Sequence, residues 1–220
     1  MIKYNVCEMF YSIQGESSYS GFPTVFIRFT GCNLRCLYCD SKYSYENGEL
    51  KSIDEILEFV DKYASDYVCL TGGEPLLQDN LGELINNLLK KNKKVSIETN
   101  GSIYLTKIAE CLSHENLKIV MDIKTLSSRM NNKNFFDNLN YLTFKDEIKF
   151  VCGNKEDFDY SLDIIKKYKL EDTTNLIFSP VFGQIKSEDL VNYLLISNLK
   201  NARFQLQIHK FVWNPEQRGV

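Results

Sequence analysis

The sequence predicts an α/β fold, a partial and open (β/α) barrel, on three observations. Strand-like and helix-like segments alternate from about residue 24 to the end, which implies parallel βα units with right-handed crossovers. Seven segments read as strands, too few for a full eight-stranded barrel of ~250 residues. Polar and glycine-rich residues collect just after those strands, where such folds bind their ligands.

Thr24 to Phe29 is β-branched and aromatic, the composition of a strand. Ser52-Ile53-Asp54-Glu55 reads as a capping box, and apolar Ile56, Leu57, Phe59 and Val60 follow, so a helix starts there. Tyr67 to Leu70 is a short buried strand. Leu81, Leu84, Ile85, Leu88 and Leu89 recur at helical spacing within Leu81 to Lys91. Val95 to Ile97 is a strand, Tyr104 to Leu112 a helix and Lys118 to Met121 a strand. Leu126 to Asp146 is Asn-rich, weakly periodic and irregular. Ile148 to Cys152 is a strand, Phe158 to Tyr168 a helix, Leu176 to Phe178 a strand and Leu190 to Leu199 a helix. Phe204 to Ile208 is the last strand.

No internal repeat and no Pro/Gly/Ser-rich linker interrupts the 220 residues, so a single domain over 1–220 is expected. Net charge is −3 with scattered Lys and Glu, which excludes a basic nucleic-acid footprint. No apolar run approaches the ~20 residues of a membrane span. The stretch from Met1 to Asn5 lacks the apolar core and cleavage site of a signal peptide, and the expected location is the cytoplasm.

Seven cysteines without a signal peptide argue against a disulfide framework. Cys7, Cys69, Cys111 and Cys152 are isolated and expected in the core. Cys32, Cys36 and Cys39 form C-x3-C-x2-C on one loop. Three thiolates can take three irons of a [4Fe–4S] cube and leave the fourth open to a small ligand. A structural zinc is the other reading; it needs four ligands, and Cys7 or His114 would have to complete it.

Gly72-Gly73-Glu74-Pro75 follows a buried strand. The glycines allow close approach of a ligand to the backbone, and Glu74 can accept hydrogen bonds from an ammonium group. An ordinary strand-to-helix turn would carry the same residues. Asp40-Ser41 reads as a turn cap, His114 as a surface residue, and His209 and Lys149 as either pocket-lining or structural groups.

Together, the cysteine loop and Gly-Gly-Glu-Pro resemble the radical S-adenosylmethionine (AdoMet) superfamily. The resemblance implies the open barrel of the radical AdoMet type, with a [4Fe–4S] cluster on Cys32, Cys36 and Cys39. AdoMet would chelate the open iron and be cleaved by one electron to a 5′-deoxyadenosyl radical. Glu74 and the Gly72 and Gly73 backbone would hold its amine.

A narrower resemblance runs nearly the whole chain. It rests on Phe10 to Glu16, Gly21 to Arg28, Gly31 to Leu34, Tyr38 to Ser41, Thr71 to Pro75, Glu98 to Gly101 and Gln207 to Lys210. These stretches are similar to the 7-carboxy-7-deazaguanine synthase family of queuosine and deazapurine biosynthesis. The implied reaction is a radical ring contraction of 6-carboxy-5,6,7,8-tetrahydropterin with loss of ammonia, assisted by Mg²⁺.

On that resemblance Ile13, Gln14, Gly15, Glu16, Thr71 and His209 would meet the pterin, and Arg28 its carboxylate. Tyr38, Cys39, Asp40, Gly73, Asp122, Ile123, Lys124, Ser179, Pro180, Val181 and Phe182 would contact AdoMet. Ser41, where the family often has Thr, would ligate Mg²⁺. The terminal carboxylate of Val220 would reach the substrate; a frayed tail is the alternative. A flavodoxin or ferredoxin reductant and a homodimer are also implied. Two rivals remain: an activating enzyme for a glycyl-radical protein, and a non-catalytic zinc- or cluster-binding module.

Overall fold

A computed structural model describes residues 2–220; Met1, the first residue of the stretch read for a signal peptide, lies outside them. Chain order begins with β1 (Lys3–Ile13), β2 (Pro23–Phe29) and β3 (Glu49–Ser52). Helix α1 (Ile53–Asp61) and β4 (Tyr67–Gly72) follow, then α2 (Leu81–Lys90), β5 (Lys94–Thr99) and β6 (Leu117–Ile123). β7 (Glu147–Cys152), α3 (Lys155–Tyr168), β8 (Asn175–Pro180), α4 (Ser187–Ser197), β9 (Ala202–Phe204) and the short α5 (His209–Val212) complete it.

The described strands form one nine-stranded sheet in the order β3-β1-β2-β4-β5-β6-β7-β8-β9. From β2 to β9 all neighbours are parallel, so the seven predicted strands are the seven parallel ones. The end strands β3 and β9 do not pair, and the barrel is open.

β1 and β3 are additions at one edge, both antiparallel to their neighbours. A bulge between Val6 and Glu8 shifts the register of β1, which breaks the two-residue alternation that would have marked it as a strand. β3 is four residues, Glu-Leu-Lys-Ser, without an apolar face.

Local chemistry explains the helices. At α1 the Ser52 Oγ accepts the Glu55 amide at 3.3 Å and Glu55 Oε2 accepts the Ser52 amide at 2.7 Å, the reciprocal capping box. Helices α1, α2 and α3 bury Ile56, Val60, Leu84, Ile85, Leu88, Phe158 and Ile165 against the outer face of the sheet.

Two predicted elements differ. The helix predicted over 104–112 is a single 3₁₀ turn, Leu105–Ile108, followed by further turns. Buried Asn138 accepts the Leu105 amide and donates to the Gly101 and Ile103 carbonyls, so a side chain takes groups that a helix start would use. The strand predicted over 204–208 ends at Phe204. Its remainder leaves the sheet for the loop after β1: Gln205 Nε2 donates to the Ser17 carbonyl and the Ile208 amide to Gly15. Cys69, Cys111 and Cys152 are core, whereas Cys7 is only half-buried, its Sγ 4.0 Å from the Tyr43 carbonyl.

The N-terminal end of the barrel is plugged. Buried Glu147 accepts the Ser18 amide at 3.0 Å, Lys118 Nζ at 3.4 Å and Arg203 Nη2 at 2.7 Å. Two residues along β7, Lys149 opens onto a cavity at the other end. Among the described residues no helix is long and apolar enough to cross a membrane.

Candidate active site

Strand alternation builds the site. Phe26 and Arg28 on β2, Thr71 on β4, Glu98 on β5, Val120 and Asp122 on β6, and Lys149 on β7 all face a cavity of about 260 Å³. Register sets neighbours: Arg28 lies opposite Thr71, and Asp122 opposite Lys149. The same alternation turns Ile123 to the helix side, 3% exposed within the apolar core.

One half of the cavity is a hydrogen-bonded polar wall. Gln14 Nε2 donates to Glu98 Oε1 at 3.2 Å and Thr71 Oγ1 to Glu98 Oε2 at 2.8 Å. Lys149 is paired with Glu16, whose other oxygen accepts Gln207 Nε2 at 2.7 Å. Burial opposes the charge on Glu16, but Lys149, Gln207 and His209 more than offset it and hold the carboxyl below its usual range. Burial likewise opposes the Lys149 ammonium, which Glu16, Asp122 and Glu98 nonetheless raise.

His209 packs on Gly15 so closely that a Cβ there would stand 2.3 Å from Nδ1, which requires glycine. Burial lowers the His209 pKa below its usual value against the pull of Glu16 and Asp40.

Arg28 stands at the rim. Its Nε donates to Glu8 at 2.8 Å, and its guanidinium lies 5.6 Å from the Phe10 ring centre and 5.8 Å from that of Tyr43. Val220 and Ile13 complete this half.

The other half carries the three thiols, all half-buried on the same cavity. Burial pushes the Cys32 and Cys36 thiols up, with Lys124 pulling the other way. Gly72 and Gly73 line the cavity beside them. A Cβ at Gly73 would lie 2.1 Å from the Gly31 carbonyl oxygen, so the glycine turn is nested against the start of the cysteine loop.

Lys124 Nζ pairs with Asp122 Oδ2 at 2.9 Å, and Asn134 clasps the Lys124 backbone, accepting its amide at 2.8 Å and donating to its carbonyl at 2.9 Å. Tyr38, Val181 and Phe182 also face this half.

Asp40 is bound to Lys210 Nζ at 2.8 Å. Burial would raise its carboxyl, but Lys210 outweighs that and brings it down to about 2. Ser41 opens a 3₁₀ turn, yet its side chain caps nothing; Oγ is 3.9 Å from Cys39 Sγ and faces the cavity.

These residues fit a cluster with a chelating ligand. Three thiols share one cavity wall, and Asp122 Oδ1, on the same wall, is buried with no hydrogen-bond partner, an acceptor left for a ligand donor. Among the described residues no three Cys, His, Asp or Glu side chains gather as a single-ion site requires. His114 is exposed, its Nδ1 accepting the Asn116 amide, and neither it nor Cys7 lines this cavity.

Four predicted contacts do not reach the cavity. Ile123 faces the core, and Ser179 and Pro180 are buried in β8. Glu74 is fully buried beneath the glycine turn, where Oε1 accepts the Leu76 amide at 3.0 Å and Thr99 Oγ1 at 2.8 Å, and Oε2 accepts the Asn100 amide at 2.7 Å.

The cavity also recruits Phe10, Tyr43, Glu98, Asn100, Lys149, Gln207 and Lys210, to which the sequence reading gave no definite role. For Glu98 and Lys149 the available signal is a charged residue inside an apolar strand. Phe10 and Tyr43 depend on the position of β1, which the bulge obscures.

A family model described as the Radical SAM superfamily matches residues 26–194. The chain is similar to the 7-carboxy-7-deazaguanine synthase of Clostridium acetobutylicum, 43% identical over the full length of both chains. It is 38% identical to that of Koribacter versatilis, over 98% of this chain and 99% of the relative. The fold is like that of the crystal structure of QueE from Escherichia coli, with a TM-score of 0.76 and 22% identity over 93% of this chain and 94% of that one.

Proposed function

The chain belongs to the radical SAM superfamily and, within it, to the 7-carboxy-7-deazaguanine synthases, and we propose how its cavity serves that reaction. The reaction is the radical ring contraction of 6-carboxy-5,6,7,8-tetrahydropterin to 7-carboxy-7-deazaguanine with loss of ammonia, a lyase reaction. The observation that carries the assignment of roles is a single cavity joining the thiols of Cys32, Cys36 and Cys39 to Arg28, Glu98 and the Glu16–Lys149 pair.

When bound, the [4Fe–4S] cluster and AdoMet would supply, after one-electron reduction, a radical able to take a hydrogen atom from the pterin C6. The protein binds and orients. Cys32, Cys36 and Cys39 hold the cluster, and Tyr38, Gly72, Gly73, Asp122, Lys124, Val181 and Phe182 form the AdoMet wall. Asp122 Oδ1 takes a donor from AdoMet, since it has no partner of its own.

Glu98, with both oxygens oriented by Gln14 and Thr71, takes the N–H groups of the pterin amino-pyrimidinone edge. Arg28 keeps its terminal nitrogens for the substrate carboxylate because only Nε is engaged by Glu8. His209, whose pKa burial lowers, packs against Gly15 and completes the wall.

Mg²⁺ at Ser41 is supported by an Oγ that caps nothing and faces the cavity. Such an ion commonly takes one or two protein oxygens and leaves the rest to substrate and water. Turnover needs a one-electron reductant; a flavodoxin or ferredoxin is the proposed donor, and a cytoplasmic homodimer the proposed form.

The deciding experiment is anaerobic. The cluster is reconstituted and reduced, AdoMet, Mg²⁺ and 6-carboxytetrahydropterin are added, and 7-carboxy-7-deazaguanine is sought by mass spectrometry. Product that vanishes in Cys36→Ala supports the reading; 5′-deoxyadenosine without that product overturns the substrate.

A further inference from the structure

After α5 the chain does not drift into solvent. Asn214-Pro215-Glu216-Gln217 forms a turn, with the Gln217 amide donating to the Asn214 carbonyl at 2.8 Å and the Asn214 side chain accepting the Glu216 amide at 3.0 Å. The turn sends the chain back across the open side of the barrel, and Pro215, Gln217, Gly219 and Val220 line the cavity.

This strap starts on the β9 side, where α5 contacts the cysteine loop through Lys210 and Asp40. It finishes on the opposite side, against β1 and the 3₁₀ turn after the cysteine loop. There the Arg218 guanidinium lies 3.8 Å from the centre of the Tyr43 ring, and Gly219 rests beside Phe10.

Arg218 is exposed and does not itself line the cavity. Tyr43 does, and its hydroxyl donates to Glu8 Oε1 at 3.0 Å, the same oxygen that receives Arg28 Nε. The end of the strap is thus fastened to the group that sets the direction of Arg28.

We infer that Arg218 is a positioning residue: by stacking on Tyr43 it pins residues 215–220 as the closing wall of the substrate half of the cavity. The inference rests on the substrate reading given above, since it assigns that wall to the pterin rather than to AdoMet. An unpinned strap exchanges wall contacts for solvent and lowers substrate affinity without touching the cysteine loop.

The experiment uses the full chain and its single tryptophan, Trp213, which is half-buried at the base of the strap, two residues before Pro215. Acrylamide quenching of Trp213 before cluster loading reports strap closure. Substrate KM, kcat and substrate-free AdoMet cleavage are measured on the loaded enzyme.

Arg218→Ala is expected to raise Trp213 quenching and to raise KM roughly two- to fivefold, the worth of an exposed cation–π contact. AdoMet cleavage and kcat stay at the wild-type level, and Arg218→Lys restores most of the loss. In a Tyr43→Leu background, Arg218→Ala adds no further change if the two act as one unit.

Wild-type quenching and KM in Arg218→Ala overturn the inference, as does an undiminished effect in the Tyr43→Leu background. If wild-type enzyme makes no deazaguanine, the substrate reading falls, while the Trp213 measurement still decides whether Arg218 holds the strap.

Discussion

The Thr71 hydroxyl donates to Glu98 Oε2 at 2.8 Å and so ties the end of β4 to the end of β5 inside the cavity. Gln14 Nε2 reaches the other oxygen from the loop after β1. A carboxylate held at both oxygens presents its remaining lone pairs in fixed directions, which is what selective recognition of a planar N–H edge requires. Thr71→Val keeps the shape and removes one hydrogen bond to a charged group. Substrate KM is expected to rise roughly tenfold. AdoMet cleavage without substrate should not change; equal loss of both would mean damage to the cluster side.

Much of this was legible before the structure because the chemistry is concentrated at strand ends. The cysteine spacing, the Gly-Gly-Glu-Pro turn and the capping box at Ser52 are local patterns, and each lies where its local chemistry puts it. What was not legible depends on register or on distant partners. Ile123 fell inside a run of expected contacts, but strand alternation turns it away between Asp122 and Lys124. The bulge in β1 removed the periodicity that would have announced Phe10 as a wall of the site. Residues 204–208 read as a strand because they are β-prone, yet after Phe204 the side-chain and backbone partners include Gly15, Glu16 and Ser17, some 190 positions away.

Glu74 tests the difference between a contact and a scaffold. Its carboxylate is fully buried and accepts from the Leu76 and Asn100 amides and from Thr99 Oγ1. Glu74→Ala would leave those donors unsatisfied in the interior, at a cost of about 3 kcal/mol. For a chain of this size that lowers the melting temperature by roughly 6–12 °C. The measurement is calorimetry on protein without its cluster. An unchanged melting temperature there would assign Glu74 to AdoMet alone.

The Glu16–Lys149 pair predicts a pH signature. Glu16 has its folded-state pKa held below the usual 4.5, with burial opposing and Lys149 and Gln207 prevailing. Its stabilisation is therefore complete above pH 4.5 and is lost as pH falls through the lower folded value. Lys149 is raised above the usual 10.5, so its share is present below that pH and lost as pH climbs through the folded value. Glu16→Gln should flatten the acid limb of the melting temperature against pH below the usual carboxylate value of 4.5. An acid limb as steep as wild type would show that other carboxylates carry it.

Asn134 offers the sharpest separation of the two halves of the site. It stands in the Asn-rich segment, which holds only short 3₁₀ turns, and its side chain both accepts the Lys124 amide at 2.8 Å and donates to the Lys124 carbonyl at 2.9 Å. That clasp fixes the residue whose ammonium pairs with Asp122 on the wall proposed to hold AdoMet. Asn134 does not line the cavity, and of its side-chain partners, Lys124 and Tyr160, only Lys124 does. Asn134→Ala removes the two hydrogen bonds to the Lys124 backbone, each worth about 1 kcal/mol, and a longer one to the Tyr160 hydroxyl at 3.4 Å. AdoMet affinity, measured by equilibrium binding, should fall by roughly ten- to thirtyfold. The pterin KM at saturating AdoMet should stay within about twofold, because the Glu98 and Glu16 networks on the far wall share no partner with Asn134. A KM that rises in step with the loss of AdoMet affinity would show that the two walls are mechanically coupled, and would move Asn134 from a local clasp to a support for the whole cavity.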